Sequence, residues 1–374
     1  MPKMSFNEVC TLTMGQSPDS STYNTQQIGL PFYQGNADFG ELNPTPRVWC
    51  YSPKKVAKKD DILISVRAPI GDLNIANEEC GIGRGLASIR INDKNKCDLT
   101  YLFHFLESKA HFLQEKGTGS TFKAINKDSL LGLVIPMPSI EEQKIISNDL
   151  IAVHKLINSK KTQLLALDEL VKSRFIEMFG ELDLSAQKSN WERLSELGTI
   201  YTGTTPSTSD ESNWDGDILW ITPAEMNEES FFISDTVRKI TEKGAKSKSL
   251  TQMPIGTVLL STRAPIGKVG IVAKPMTCNQ GFKNFYCPDK LNSIYLYVLL
   301  KYNTQYLNSI GTGTTFKEIS KTTCGNIRIP VPAMDKQNEF SEFVKLIDKS
   351  KFIVQQQIKD LEELLDSKMD EYFR

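Results

Sequence analysis

Two long stretches of the chain carry apolar residues at alternating steps of four and three. The first runs from Gln143 to Phe179 and the second from Gln337 to Arg374, and neither contains a proline or a glycine. Such spacing places the apolar side chains on one stripe of an α-helix and is typical of a coiled-coil seam. The predicted seam residues are Ile146, Leu150, Val153, Ile157, Leu164, Leu167, Val171 and Met178 in the first stretch, and Phe340, Val344, Ile347, Val354, Ile358, Leu361, Leu365 and Tyr372 in the second.

The ends of the first helix have their own signals. Ser139 followed by Glu142 is a capping box that predicts where the helix starts, and Gly180 predicts its end. A helix of this length spans about 55 Å. A long helix with a single apolar stripe needs a partner. We predict that each long helix packs against the other, and the alternative is that each packs on its own domain.

The rest of the chain contains an internal sequence repeat. Three matches occur in the same order: RAPIG at 67–71 and 263–267, GTGSTFKAINK at 117–127 against GTGTTFKEISK at 311–321, and VIPMPSIEEQ at 134–143 against RIPVPAMDKQ at 328–337. Their offsets are 196, 194 and 194. Upstream the likeness fades to GQSP against GTTP. Each half therefore has a variable front and a well-matched back, as in an internal repeat.

Each half has patterns of both strands and helices. Apolar β-type runs flank Pro69 and Gly71, and helical spacing follows at 99–116 and 292–309. This order predicts an α+β fold: two pseudo-repeated domains joined by two long helices. The predicted segments are domain 1 at 1–138, a central helix at 139–180, a linker at 181–190, domain 2 at 191–332 and a C-terminal helix at 333–374.

Composition narrows the class of protein. The 374 residues carry a formal net charge of −1, which gives no overall attraction to nucleic acid or membrane. Basic residues do cluster locally at 54–59 and 238–248, although a solvated face explains such runs equally well. The seven scattered cysteines, the lack of a signal peptide and the lack of a membrane-length apolar run predict a cytoplasmic protein with free thiols.

Catalytic and metal-binding patterns are missing from the sequence. Neither a P-loop nor a nucleophilic triad is present at a recognisable spacing, and NPTP at 43–46 lacks most of the amino-methyltransferase box. The three histidines, His104, His111 and His154, stand apart in the sequence, and we predict structural or surface roles for them and no metal site. This pattern favours a binding protein over an enzyme.

The doubled architecture, together with the wording GQSPDSSTYN, GLPFYQGNADFG, RAPIG, GTGSTFKAI and IPMPSIEEQKII, resembles the specificity subunits of type I restriction–modification systems. The resemblance covers essentially the whole chain. It implies that the two domains are target recognition domains, each reading one half of a bipartite double-stranded DNA sequence. It also implies that the long helices pack antiparallel as a spacer between them.

The resemblance also implies partners and cofactors. Such a subunit is not an enzyme and holds no cofactor itself. It recruits two modification subunits, which use S-adenosylmethionine to methylate adenine at N6. Restriction subunits, which use ATP and Mg²⁺, join to cleave unmodified DNA.

Residues that read different half-sites should lie where the two halves differ. The predicted base readers are Tyr33, Gln34, Asn36, Arg84 and its counterpart Gln280, Thr222 and Glu225. The residues common to both halves, Arg67 and Arg263 together with Lys123 and Lys317, are candidates for phosphate contacts or for structural roles. We predict that the long helices and the GTG-TFK segments contact the modification subunits, through Phe122 and Phe316 and through exposed Phe175 and Phe352.

Three other readings stay open at the level of sequence. The chain would bind DNA alone if it were a regulator, although it has no helix-turn-helix signal. It would be an enzyme if an active site were scattered along the sequence. A coiled-coil scaffold is the third reading, but it leaves the unequal front segments unexplained.

Overall fold

The structure is a computed structural model that describes residues 2–118, 123–226, 231–263, 265–313 and 317–374. It divides into two compact units. The first combines the chain up to Lys161 with Gln357–Arg374, and the second holds Thr162–Gln356. Each unit therefore contains one stretch of each long helix. Within the described part of the chain, no helix combines the length and apolar character needed to cross a membrane.

The first unit contains eleven described strands, four complete helices and the first stretch of a fifth, long helix. The strands are β1 (Lys3–Ser5), β2 (Cys10–Met14), β3 (Tyr23–Asn24), β4 (Leu30–Tyr33), β5 (Trp49–Cys50), β6 (Val56–Ala57), β7 (Ile62–Ser65), β8 (Leu73–Ile75), β9 (Cys80–Ile82), β10 (Leu86–Ile91) and β11 (Val134–Pro136). The helices are α1 (Phe6–Val9), α2 (Leu99–Ser108), α3 (Ala110–Lys116), α4 (Lys127–Leu131) and α5 (Ile140–Phe179). A four-stranded antiparallel sheet has the order β2-β10-β7-β8, and a five-stranded sheet has the order β3-β5-β4-β9-β6, in which β4 and β9 are parallel.

The second unit repeats this plan with ten described strands. They are β12 (Glu192–Arg193), β13 (Thr199–Thr202), β14 (Trp214–Ile221), β15 (Phe232–Ile233), β16 (Arg238–Ile240), β17 (Val258–Leu260), β18 (Val269–Val272), β19 (Met276–Cys278), β20 (Lys283–Tyr286) and β21 (Arg328–Ile329). The helices are α6 (Leu194–Leu197), α7 (Glu242–Ser247), α8 (Ser293–Tyr302), α9 (Thr304–Ser309), α10 (Lys321–Asn326) and α11 (Met334–Phe373). The sheets have the orders β13-β20-β17-β18-β15 and β16-β14-β19, and β14 and β19 are parallel.

The two long helices form as predicted. At the start of α5, the Ser139 amide donates to the Glu142 carboxylate and the Glu142 amide donates to Ser139 Oγ, at 3.0 and 3.3 Å, which is the predicted capping box. At its end, the Gly180 amide donates to the carbonyl of Ile176. All sixteen predicted seam residues are buried or half-buried. The apolar stripe read from the sequence is therefore the packed face of both helices.

Within each unit the two helices run antiparallel. In the first unit, Asp149 of α5 accepts from Lys368 of α11 at 2.6 Å, and Lys161 pairs with Glu362 at 3.0 Å. Residue numbers rise along one helix as they fall along the other. The second unit follows the same rule, since Asp168 pairs with Lys351 at 2.8 Å and Arg174 with Glu339 at 2.9 Å.

A buried glutamine joins each long helix to the domain that precedes it. The Gln143 side-chain amide donates to the carbonyls of Lys96 and Pro138, and its oxygen accepts from the Asp98 amide, at 2.8, 3.0 and 2.8 Å. Gln337 makes the same three bonds 194 residues later, to Lys290, Pro332 and Asn292. Each glutamine thereby satisfies one backbone group in the turn before its long helix and two in the segment before α2 or α8.

Candidate nucleic-acid interface

The described residues of the two RAPIG copies make matching hydrogen bonds in both halves. Ser65 Oγ donates to the Pro69 carbonyl and accepts from the Asp72 amide, at 2.7 and 2.9 Å. Ser261 makes the equivalent bonds to Pro265 and Lys268, both at 2.8 Å. The last glycine of each copy has a φ of +96°, a conformation that L side chains rarely adopt. The serine two residues before each copy and the glycine at its end therefore hold the described residues of both copies in the same arrangement.

Each RAPIG turn is hydrogen-bonded to the segment that follows the GTG sequence. In the first half the Ala68 amide donates to the Lys123 carbonyl at 3.2 Å, and Arg67 and Lys123 both expose their side chains. No acidic side chain among the described residues forms an ion pair with Arg67. In the second half Arg263 donates to Glu318 at 2.9 Å, while Lys317 is exposed. Arg263 is thus partly committed to a carboxylate, whereas Arg67 is available to a ligand.

Three loops of the first half meet at the end of the parallel strands β4 and β9. We name residues 15–17, 34–36 and 83–85 the first loop cluster. The Gly83 amide donates to the Tyr33 carbonyl at 2.8 Å, and the Arg84 amide donates to Ser17 Oγ at 3.3 Å. The side chains of Gln34 and Arg84 are exposed. The structure therefore brings two predicted readers together at one surface.

The second half builds the same frame from different residues. We name residues 203–205, 222–225 and 279–281 the second loop cluster. The Asn279 amide donates to the Ile221 carbonyl at 3.1 Å, which matches the bond between Gly83 and Tyr33. Thr205 Oγ1 donates to the exposed Gln280 side chain at 2.8 Å. Arg84 and Gln280 consequently occupy equivalent positions in the two frames.

The prediction that Tyr33 reads a base is wrong, because its side chain is buried. Tyr33 is only 1% exposed, and its hydroxyl is buried without a hydrogen-bond partner among the described residues. Burial also raises the pKa of this hydroxyl. Its counterpart in β14 is Ile221, also buried. Tyr33 is thus the last inward-facing residue of β4, and Gln34, one residue later, is the one that faces solvent.

Three further residues that we predicted to read bases, Asn36, Thr222 and Glu225, use their side chains in hydrogen bonds within their own domain. Asn36 is half-buried and its side-chain amide donates to Asp72 at 2.9 Å. The Glu225 carboxylate accepts from both the amide and the hydroxyl of Thr222, at 3.0 and 2.8 Å, and from the Val237 amide at 2.7 Å. Thr222 and Glu225 thereby form a capping box, which fixes the shape of the second loop cluster.

The proposed partner-contact residues separate into three groups. Phe352 is 68% exposed, as predicted. The prediction that Phe175 is exposed is wrong, because it is 3% exposed and packs against Phe340 and Tyr295 at centroid distances of 5.4 and 5.8 Å. It lies one helical turn after Val171, so it widens the packed stripe. Phe122 and Phe316 lie outside the described residues.

The two basic stretches differ in how their charges are used. In the second half, Arg238 lies 3.5 Å from the centre of the Trp214 ring, and Lys243 pairs with Asp210 at 3.1 Å. In the first half, the four lysines at 54–59 are exposed, and no described carboxylate forms an ion pair with them. The stretch at 54–59 is therefore the better candidate for phosphate contacts.

Sequence reasoning missed a cluster of two histidines and a glutamate. His104 Nδ1 and His154 Nε2 lie 2.9 and 3.3 Å from the same carboxylate oxygen of Glu107. The imidazole rings stack at a centroid distance of 5.4 Å. His104 and Glu107 are three apart on α2, which is a signal the sequence offers, but His154 comes from α5. Only the packing of α2 on α5 reveals the cluster.

Comparisons with known proteins agree with the doubled frame. The family model described as the type I restriction modification DNA specificity domain matches residues 2–168 and 188–363. The chain belongs to this family. Its two matches correspond to the two halves of the repeat, so the family domain occurs twice in one chain.

Two curated relatives come from Methanocaldococcus jannaschii. The putative type I restriction enzyme MjaX specificity subunit is 46% identical over 41% of this chain and 36% of its own length. The type I restriction enzyme MjaIX specificity subunit is 40% identical over 48% of this chain and 43% of its own. The chain thus spans less than half the length of these curated relatives.

A solved structure supports the same fold over the whole chain. The S subunit of a type I restriction–modification system from M. genitalium is 15% identical, covers 100% of this chain and 96% of its own, and has a TM-score of 0.57. The specificity-domain fold, two pseudo-repeated recognition domains joined by two antiparallel helices, is therefore that of this protein.

Proposed function

We propose that this chain reads a bipartite double-stranded DNA target for a type I restriction–modification complex, with one loop cluster for each half-site. The observation that carries the proposal is the pair of equivalent frames with different exposed side chains. The exposed Arg84 stands in the first frame where the exposed Gln280 stands in the second, and Gln34 is exposed in the same loop cluster as Arg84. A shared backbone arrangement with different exposed side chains suits a protein whose two halves read different sequences.

The exposed side chains have chemistry suited to these roles. The Arg84 guanidinium matches the two acceptors on the major-groove edge of guanine, and the amides of Gln34 and Gln280 match adenine. Arg67, Lys123, Lys317 and the lysines at 54–59 would contact phosphates, which position the protein without reading sequence. With a net charge of only −1, the chain would depend on its partners for part of the attraction to DNA.

The proposal extends to the assembly. The chain would act in the cytoplasm without catalysis or cofactor of its own. Two modification subunits would supply S-adenosylmethionine and methylate adenine at N6. Restriction subunits would supply ATP- and Mg²⁺-dependent cleavage. The exposed Phe352 on α11 is a candidate contact for a modification subunit, since a large apolar side chain that is 68% exposed gains by being covered.

The test is single-molecule sequencing of modified DNA from cells that express the cognate modification subunit with or without this chain. We expect N6-methyladenine in a bipartite motif only when the chain is present. An unchanged methylation pattern, combined with no selective DNA binding by the purified complex, would overturn the proposal.

A further inference from the structure

The cluster of His104, Glu107 and His154 lies at a cleft in the first unit. The cleft has a volume of about 870 Å³ and is also lined by Asn36, Asp72 and Asn158. Ligand atoms of the three side chains lie within 4.8 Å of one another. Two elements build the cluster, since α2 supplies His104 and Glu107 and α5 supplies His154.

The hydrogen bonds within the protein do not use up the cluster. His104 is 5% exposed, and its Nδ1, the ring nitrogen that faces the cluster, is hydrogen-bonded to Glu107 at 2.9 Å. Nε2 of His154 is buried and lies 3.3 Å from the same carboxylate as an ion-pair partner, but it makes no hydrogen bond among the described residues. A buried ring nitrogen without a partner costs free energy.

We propose that His104, Glu107 and His154 bind a divalent transition-metal ion of the Zn²⁺ class. Two imidazole nitrogens and one carboxylate oxygen are ligands that zinc favours, whereas Mg²⁺ and Ca²⁺ favour oxygen alone. Zinc bonds of 2.0–2.1 Å in a tetrahedron separate neighbouring ligand atoms by about 3.3 Å. The observed separations from the Glu107 oxygen, 2.9 and 3.3 Å, are close to that value. The cleft leaves room for water as the fourth ligand.

The ion would tie α2 of the first recognition domain to the first stretch of α5. A metal that binds only the folded chain stabilises it by mass action. The site is independent of the proposed DNA function, because its ligands lie outside the first loop cluster. The role is therefore a clip that holds recognition domain and helix together.

The second half provides a natural control. At the positions 194 residues later stand Val298, Lys301 and Asp348, which offer a single carboxylate and no imidazole. Those residues pack in the same places on α8 and α11. Replacing the first-half trio with them, as the triple variant H104V/E107K/H154D, should remove the ligands while keeping a set of side chains that this frame accepts.

The experiment is titration of the purified, metal-free full chain with Zn²⁺, followed by calorimetry, thermal unfolding and elemental analysis. We expect one zinc per chain and a rise in the unfolding midpoint of about 3 to 5 °C at a hundredfold excess over Kd. His111→Ala removes the one other histidine, whose side chain is 84% exposed, and should leave both readouts unchanged.

Substitutions of the ligands distinguish the outcomes. Glu107→Gln keeps the side-chain shape and should weaken zinc binding at least tenfold, and H104V/E107K/H154D should abolish it. Substitution with Co²⁺ should give a tetrahedral absorption spectrum without a thiolate band, because the seven cysteines are buried elsewhere. The proposal is overturned if the wild-type chain binds no stoichiometric zinc, or if Glu107→Gln and the triple variant bind it as tightly as the wild type.

Discussion

The two halves of the molecule share several buried hydrogen bonds and differ at their exposed loops. Tyr101 and Tyr295 both donate a hydroxyl hydrogen bond to a proline carbonyl, at 2.8 and 3.1 Å. At equivalent positions of the loop clusters stand an arginine, Arg84, and a glutamine, Gln280. Buried polar groups lose stability when they lack a hydrogen-bond partner, so the bonds that fix the backbone are kept in both halves. Exposed loop side chains can differ between the halves at little cost to stability.

The largest effect should come from the buried glutamines. Gln143→Leu and Gln337→Leu each remove three hydrogen bonds from backbone groups, one in the turn before a long helix and two in the segment before α2 or α8. We expect each to lower the free energy of unfolding by about 3 kcal/mol, because the orphaned groups lose their partners. Urea unfolding measures it, with the exposed Gln34→Ala as control. A strong effect in one half alone would break the symmetry of the comparison.

Exchange of the loop-cluster side chains should change specificity rather than stability. Arg84→Gln in the reconstituted complex should alter the base preference in one half-site only, at about 1–3 kcal/mol of discrimination for one bidentate contact. Gln280→Arg should alter the other half-site. Sequencing of N6-methyladenine motifs reads both. If either variant changed both half-sites, the assignment of one cluster to each would be wrong.

The RAPIG turns should tolerate no side chain at their last glycine. Gly71→Ala and Gly267→Ala each put a Cβ at a φ of +96°, against Ala110 at 3.1 Å and Thr304 at 2.5 Å. We expect a loss of about 1–2 kcal/mol in each case. Gly35→Ala is the matched control, because nothing lies within 4 Å of its added Cβ and its backbone is extended. Equal stability of Gly71→Ala and Gly35→Ala would contradict the turn argument.

The smallest effect should be the pH dependence of the pair formed by His154 and Glu107 in the first half. Contact with Glu107 raises the pKa of His154 above its ordinary value of 6.5, against burial and Lys161, which lower it. The pair therefore stabilises the metal-free fold fully between about pH 4.5 and 6.5 and loses that contribution as pH rises through the raised pKa. Below pH 4.5 it declines as the pH falls toward the Glu107 pKa of about 2.

Chelator-treated wild type and Glu107→Gln test this sign. We expect their difference in unfolding free energy to be larger at pH 6 than at pH 9, by about 0.5 kcal/mol, a small value because solvent screens the partly exposed pair. Lys301→Gln, at the counterpart of Glu107, should show no such trend. A difference that grew with pH would contradict the charged pair.

Of the candidate site, the sequence predicted the exposed pair Gln34 and Arg84 because they stand where the halves disagree. It misplaced Tyr33, because strand register decides which of two neighbouring residues faces the core. It also treated Thr222 and Glu225 as readers, although their spacing of three residues was already that of a capping box. Local sequence patterns predict which residues lie near a surface. Hydrogen bonding within the fold decides which of their side chains remain available to contact DNA.

The sequence by itself determined the repeat, the α+β class and both long helices. Periodicity and capping are local patterns that can be recognised within a few residues. The repeat can be recognised because two parts of the sequence resemble each other. Only the tertiary structure decided that Phe175 is buried against Phe340 and Tyr295, and that His154 meets His104 and Glu107. Those contacts join side chains from separate helices, and their geometry is set by packing that no local pattern encodes.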